Sequence, residues 1–210
     1  MLSSNSMISF LNPDEYLLFM KKLRISPNWR IEKGILNTRG KKIEKKSYVY
    51  TLTKVFSEKK LFYRKVSIAE IVSWLDGFVI ITRLLRHLKA NVDIGVYSKL
   101  EIYMEYKIEM SKNRRIDYVF KYENRLLLVE LRLSDRFPNL TNVWQKKELE
   151  LIIYKELLSN YIPPNIEVII YALVFMPEYD LNTEIYKNSE YNENNVSHLA
   201  NYILKYLFKN

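Results

Sequence analysis

The chain of 210 residues has no cysteine and only four glycines. Without cysteine there are no disulfides, no thiolate zinc sites and no thiol nucleophile. The composition fits a reducing compartment, and the expected location is cytoplasmic. The shortage of glycine leaves neither GxGxxG nor the GxxxxGK-S/T pattern, which removes support for dinucleotide-binding and P-loop readings. Long uninterrupted apolar runs are also missing. The oiliest stretch, IAEIVSWLDGFVIITRLLRHL, is broken by Glu70, Asp76, Arg83 and Arg86, so it reads as a buried helix rather than a membrane span. The opening MLSSNSMISFLNPDEYLLFM has no basic region followed by an apolar core, and no signal peptide is expected. His87 and His198 stand isolated in apolar helical contexts, and no Ser-His-Asp pattern can be assembled.

What is present is globular: 48% hydrophobic and 27% charged residues, enough chain for one domain with a real core or one domain plus a small appendage. The 33 Lys and Arg against 24 Asp and Glu give a net charge of +9. That surplus favours polyanionic partners through counterion release, although a Lys-rich soluble protein carries it as well. Two basic clusters are local, RGKKIEKK at 39–46 and KNRR at 112–115.

Asn12-Pro13-Asp14 introduces a short helix over 14–23. Residues 24–46 read mostly as loop. SYVYTLTKVF and KLFYRKVS suggest a β-hairpin turning near Ser57–Lys59. Residues 1–66 are therefore an N-terminal extension, and its tyrosines are compatible with a specificity element or a homodimer contact. Ser67 opens a long buried helix over about 68–89, with Glu70 at the capping-box position. KLEIYMEYKIEM (99–110), RRIDYVFKY and RLLLVELRL follow as strands, the last two joined by Glu123-Asn124. A helix over 141–161 stops before Pro163-Pro164, 166–175 is a buried strand, and 196–208 a terminal helix. Three consecutive strands make an antiparallel meander, and a helical crossover to a fourth gives a mixed sheet with helices on both faces.

Two acids sit in these oily strands. With Glu123-Asn124 as the turn, Tyr122 faces Arg125, and continuing the ladder sets Asp117 opposite Glu130. Their Cβ atoms would lie roughly 4.5–5.5 Å apart, where like charges repel. Such a pair calls for a shared proton, an arginine or a divalent cation; magnesium takes one or two carboxylates with water and phosphate oxygens. Arg132 falls on the Glu130 face, one pleat along, as a fixed cation.

Asp117 followed by Glu130-Leu131-Arg132 resembles the signature of the PD-(D/E)XK nuclease superfamily, with Ile116 where proline is common and Arg132 where lysine is usual. The resemblance covers about residues 67–175 and implies a restriction-endonuclease-like αβββαβ core, with residues 67–210 as the nuclease-like domain. It implies Mg²⁺ or Mn²⁺ held by Asp117 and Glu130, with Arg132 assisting, and a nucleic acid target, DNA favoured over RNA. Arginine does not readily act as a base. Glu70 has two open readings, a metal-site glutamate of that helix or a simple cap. KKELELIIYKELL resembles the QxxxY element of the exonuclease-like branch, here Glu150 and Tyr154. Arg114, Arg115, Lys146 and Lys147 are candidate phosphate contacts, and Asp135 and Arg136 candidate rim residues. The rival readings are a catalytically silent nuclease-fold protein that binds nucleic acid or a protein partner, and a structural salt-bridge cluster.

Overall fold

A computed structural model describes residues 2–24, 46–59, 65–108, 114–133, 140–175 and 196–209. Its centre is a five-stranded sheet in the order β1-β2-β3-β4-β5. After a 3-10 turn, β1 (Ser6–Phe10) leads to α1 (Pro13–Leu23), then α2 (Ser47–Lys59) and α3 (Ile68–Asn91). A single helical turn, Ile94–Tyr97, precedes β2 (Glu101–Lys107), β3 (Arg115–Tyr122) and β4 (Arg125–Leu133). Then come α4 (Leu140–Ser159), β5 (Glu167–Phe175) and α5 (Val196–Tyr202), which continues as a π-helix over Ile203–Leu207. β1 to β4 pair antiparallel in succession and β5 joins β4 in parallel. The mixed α/β sheet expected from the sequence is thus present.

Local chemistry explains the helix starts. The Asn12 side chain accepts the Glu15 N–H at 2.9 Å, and Pro13 fills the first helical position, where no N–H is needed. Ser67 Oγ accepts the Glu70 N–H, while Glu70 Oε2 accepts the Ser67 N–H at 3.0 Å, closing a reciprocal capping box. The helices pack on both faces of the sheet. One face carries the larger core, where α3 supplies Leu75, Phe78, Ile81 and Leu85 against Tyr118, Phe120 and Val129, with α1, α2 and α5 around it. The other face buries Val119, Leu126 and Leu128 under Leu151 and Leu158 of α4.

Two features differ from expectation. The first half of the proposed hairpin is the helix α2; most of its second half, 60–64, lies outside the described residues. Tyr48, Leu52 and Phe56 are buried at helical spacing with Val49 beside them, while Tyr50 and Thr51 face out. The four-residue period outweighs the β-branched and aromatic composition that suggested a strand. Second, Ser6–Phe10 is an edge strand of the central sheet, paired with β2 as Ser6↔Tyr106 and Phe10↔Ile102. The start of the chain is therefore built into the same sheet as the acids.

Candidate functional site

The β3–β4 ladder pairs Tyr122 with Arg125 and continues to Tyr118↔Val129, which leaves Asp117 opposite Glu130 in the expected register. At this point side chains take over the ladder. Asp117 Oδ2 accepts the Leu131 N–H at 2.8 Å, and Glu130 Oε1 accepts the Asp117 N–H at 3.2 Å. Each acid satisfies a backbone amide of the other strand. Glu130 is buried, whereas Asp117 is only half-buried. Asp117 Oδ1 accepts no hydrogen bond from any of the described residues.

The neighbouring strand adds a third acid. β2 pairs with β3 as Met104↔Tyr118 and Tyr106↔Ile116, which sets Glu105 opposite Asp117. Glu105 is buried and has φ 51°, a left-handed backbone rare for a glutamate. The strands turn over here: Met104 and Tyr118 belong to the larger core, but Tyr106 and Ile116, two residues along, belong to the core beneath α4. A regular pleat would keep them on one face. The reversal lets acids of adjacent strands reach opposite sides of the sheet.

On the α4 side, Lys147 Nζ lies 2.7 Å from Glu130 Oε2 and 2.7 Å from Glu150 Oε2. On the α3 side, Arg115 Nε lies 2.7 Å from Glu105 Oε2 and its Nη2 lies 2.8 Å from Glu70 Oε1. Trp74 donates its indole N–H to Glu105 Oε1 at 2.8 Å. Among the described residues, five carboxyls (Glu70, Glu105, Asp117, Glu130, Glu150) meet two cations (Arg115, Lys147).

Burial raises three of these carboxyls above their ordinary values. Burial, with the Asp117 charge adding to it, pushes Glu130 from 4.5 up to about 8 against the opposing pull of Lys147. Burial also lifts Glu105 to about 8, with Arg115 opposing and Asp117 adding. Asp117 is raised by burial, opposed by the Leu131 N–H, Lys147 and Arg115. Burial alone would lower Lys147, but Glu130, Glu150 and Asp117 outweigh it and keep the ammonium charged.

Of the residues singled out in the sequence, Asp117, Glu130, Lys147 and Glu150 come together. Tyr154 lies one helical turn beyond Glu150, half-buried, its phenol pushed up to about 12 by burial and then by Glu130 and Glu150. Glu70 both caps α3 and reaches Arg115, so both its oxygens are engaged. Arg115 points inward to Glu70 and Glu105 rather than out toward solvent. Arg114 and Lys146 are exposed. Arg132 is exposed too, and its side chain joins no ion pair or hydrogen bond among the described residues. Lys147, expected as a phosphate contact, is instead the cation at Glu130. Asp135 and Arg136, and residues 39–45 and 112–113 of the two basic clusters, lie outside the described residues. Glu105 and Trp74 were not singled out in the sequence. A glutamate between Met104 and Tyr106 in an otherwise buried strand was the available signal for the first.

Comparison of the chain with protein-family models, with curated proteins and with solved structures gives no match.

The donors fit a hard divalent cation such as Mg²⁺ or Mn²⁺ in kind: carboxylate oxygens, one of them on the half-buried Asp117, whose Oδ1 accepts no hydrogen bond from the described residues. No three acidic or histidine side chains converge on one point among the described residues. The protein's share would be Asp117 and Glu130, within the one or two carboxylates that magnesium commonly uses.

Proposed function

We propose that this chain is a divalent-metal-dependent nuclease with a restriction-endonuclease-like core. The observation that carries the reading is the Asp117–Glu130 pair, locked by reciprocal hydrogen bonds between β3 and β4 with the Lys147 ammonium on Glu130. Asp117 and Glu130 would hold Mg²⁺ or Mn²⁺. When bound, the ion supplies an activated water and charge for the developing phosphate oxyanion.

The chain's own residues do the rest. The buried Glu130 is fixed on Oε1 by the Asp117 amide, so its carboxylate plane is set before any ligand arrives. Lys147 brings a charged ammonium to Glu130. Arg114, at the start of β3, and Lys146, beside Lys147 on α4, are exposed cations suited to backbone phosphates. DNA is the favoured target, with RNA second.

A second reading is a catalytically silent nuclease-fold protein that binds nucleic acid or a protein partner. It is favoured by Lys147, which already neutralises Glu130, and by arginine at position 132. Turnover of labelled single- and double-stranded DNA and RNA in Mg²⁺ and in Mn²⁺ decides between them. Cleavage that needs the ion and disappears in Asp117→Asn supports the enzyme. Salt-sensitive binding with no cleavage on any substrate supports the silent fold.

A further inference from the structure

We infer that Lys147 sits in the cation seat of the acid pair in the ligand-free protein, so that the ammonium and a divalent ion compete for Glu130, and that a nucleic acid phosphate relieves the competition by drawing Lys147 outward. The inference rests on the metal-dependent reading above and adds a control to that same site.

Glu130 has two oxygens to offer. Oε1 accepts the Asp117 N–H, and taking it away would leave an amide unpaired in a buried strand, which is costly. Oε2 is the oxygen a cation can reach from the α4 side, and Lys147 holds it at 2.7 Å. A divalent ion on the same oxygen, at roughly 2.1 Å, would stand within a few ångströms of the ammonium, and two positive charges so close in a poorly solvated pocket repel. One must leave.

Lys147 is equipped to leave. Its second anchor, Glu150, has a side chain that is 45% exposed, whereas the Glu130 side chain is 4% exposed. A four-carbon stem can swing the ammonium off Glu130 toward solvent while it stays near Glu150. Lys146, the preceding residue on the same helix, is exposed, and a phosphate drawn to this stretch of the helix can meet the outward Lys147 ammonium. The phosphate therefore prefers the Lys147-out state, and so does the metal. Two ligands that prefer one state strengthen each other's binding by the same factor.

The test is Mn²⁺ affinity of the full chain, read from the electron paramagnetic resonance of free Mn²⁺, with and without a short phosphorothioate oligodeoxynucleotide. For wild type, Mn²⁺ alone should bind weakly and the oligonucleotide should tighten it roughly tenfold. Lys147→Met should bind Mn²⁺ alone roughly tenfold tighter than wild type, and the oligonucleotide should then add little. Equal affinities in the two proteins overturn the competition and leave the metal reading standing. No Mn²⁺ binding to either overturns both. A wild-type measurement covers the case of a variant that does not fold. Labelling with an amine-reactive ester, followed by peptide mass spectrometry, should find Lys147 slower than Lys146 without Mn²⁺ and close to it at saturating Mn²⁺. A Lys147 rate unmoved by Mn²⁺ also overturns the competition.

Discussion

Trp74 and Glu105 are joined by a 2.8 Å hydrogen bond from the indole N–H to Oε1, across the contact between α3 and β2. The other oxygen of Glu105 faces Arg115 at 2.7 Å. This glutamate is buried, left-handed in its backbone and aligned with the acid pair. A strained conformation at a buried acid is tolerated where surrounding contacts over-determine it, and here an indole and a guanidinium do so.

The first prediction follows from its charge. Glu105 is pushed from 4.5 up to about 8 by burial. Glutamine keeps the shape and an acceptor for Trp74 and resembles the protonated acid. Glu105→Gln should therefore cost little stability at about pH 6, where the wild-type residue already holds its proton. At about pH 9 the wild type must carry the buried charge, and the variant should gain on it. The Tm difference between the two, measured in metal-free buffer, should rise with pH in favour of the variant. A pH-independent difference would mean that Glu105 is ionised throughout.

Much of this arrangement can be read in the sequence. The turn at Glu123-Asn124 fixes the register that faces Asp117 with Glu130. What is not legible has physical causes. Glu105 lies in a strand whose alternation reverses at that residue, and a period-2 reading assigns a single face to a strand that uses both. Lys147 belongs to a helix, and no local pattern says which sheet acid its long side chain will reach. The α2 segment has strand-like composition, and only the spacing of Tyr48, Leu52 and Phe56 reveals a helix. The pairing of Ser6–Phe10 with β2 joins positions about a hundred residues apart in the chain, a distance at which local patterns carry no information.

The second prediction concerns pH and stability. Asp117, Glu130 and Glu105 all have raised folded-state values. A carboxyl of this kind keeps its proton in the folded chain at pH values where the unfolded chain has lost it. Its effect is to make stability fall as pH rises, from about 4.5 through about 8, and to level off above. Metal-free Tm should decline across that window. Asp117→Asn and Glu130→Gln should each make the decline shallower and should not unfold the chain, because one of two repelling charges is gone. Saturating Mg²⁺ should restore stability to the wild type at the alkaline end, and much less to either variant. The same substitutions should reduce any cleavage by at least about a hundredfold.

The third prediction tests the packing behind the acids. Gly77 lies in the middle of α3, and a Cβ there would stand 3.2 Å from the Tyr118 hydroxyl and 3.4 Å from Leu131 Cδ1. Tyr118 and Leu131 immediately follow Asp117 and Glu130, and the Leu131 N–H holds Asp117. Alanine in a helix interior normally gains about 1 kcal/mol over glycine. Tyr118 is buried and its ring stacks on Phe120 at 6.2 Å, so it has little room to yield. Gly77→Ala should therefore fail to raise Tm. An increase in Tm would mean that the Tyr118 ring moves freely.

The last prediction separates arginines adjacent in sequence but different in duty. Arg115 is mostly buried and holds Glu70 and Glu105, while Arg114 is exposed. Removing Arg115 strands two carboxylates that have little water to turn to. Arg115→Ala should cost on the order of 3 kcal/mol, the scale for breaking a buried pair, and should lower Tm most at alkaline pH, where Glu105 is ionised. Arg114→Ala together with Lys146→Ala should leave Tm nearly unchanged, since both side chains are exposed. If the chain binds nucleic acid through this side, the double variant should weaken binding uniformly across sequences. It should also flatten the dependence of log affinity on log salt by roughly one for each lost phosphate contact. Tm by circular dichroism and fluorescence anisotropy over a salt series check the two halves independently. A Tm unmoved in Arg115→Ala would sink the structural duty assigned to that arginine. An unchanged salt slope in the double variant would move the phosphate contacts away from Arg114 and Lys146.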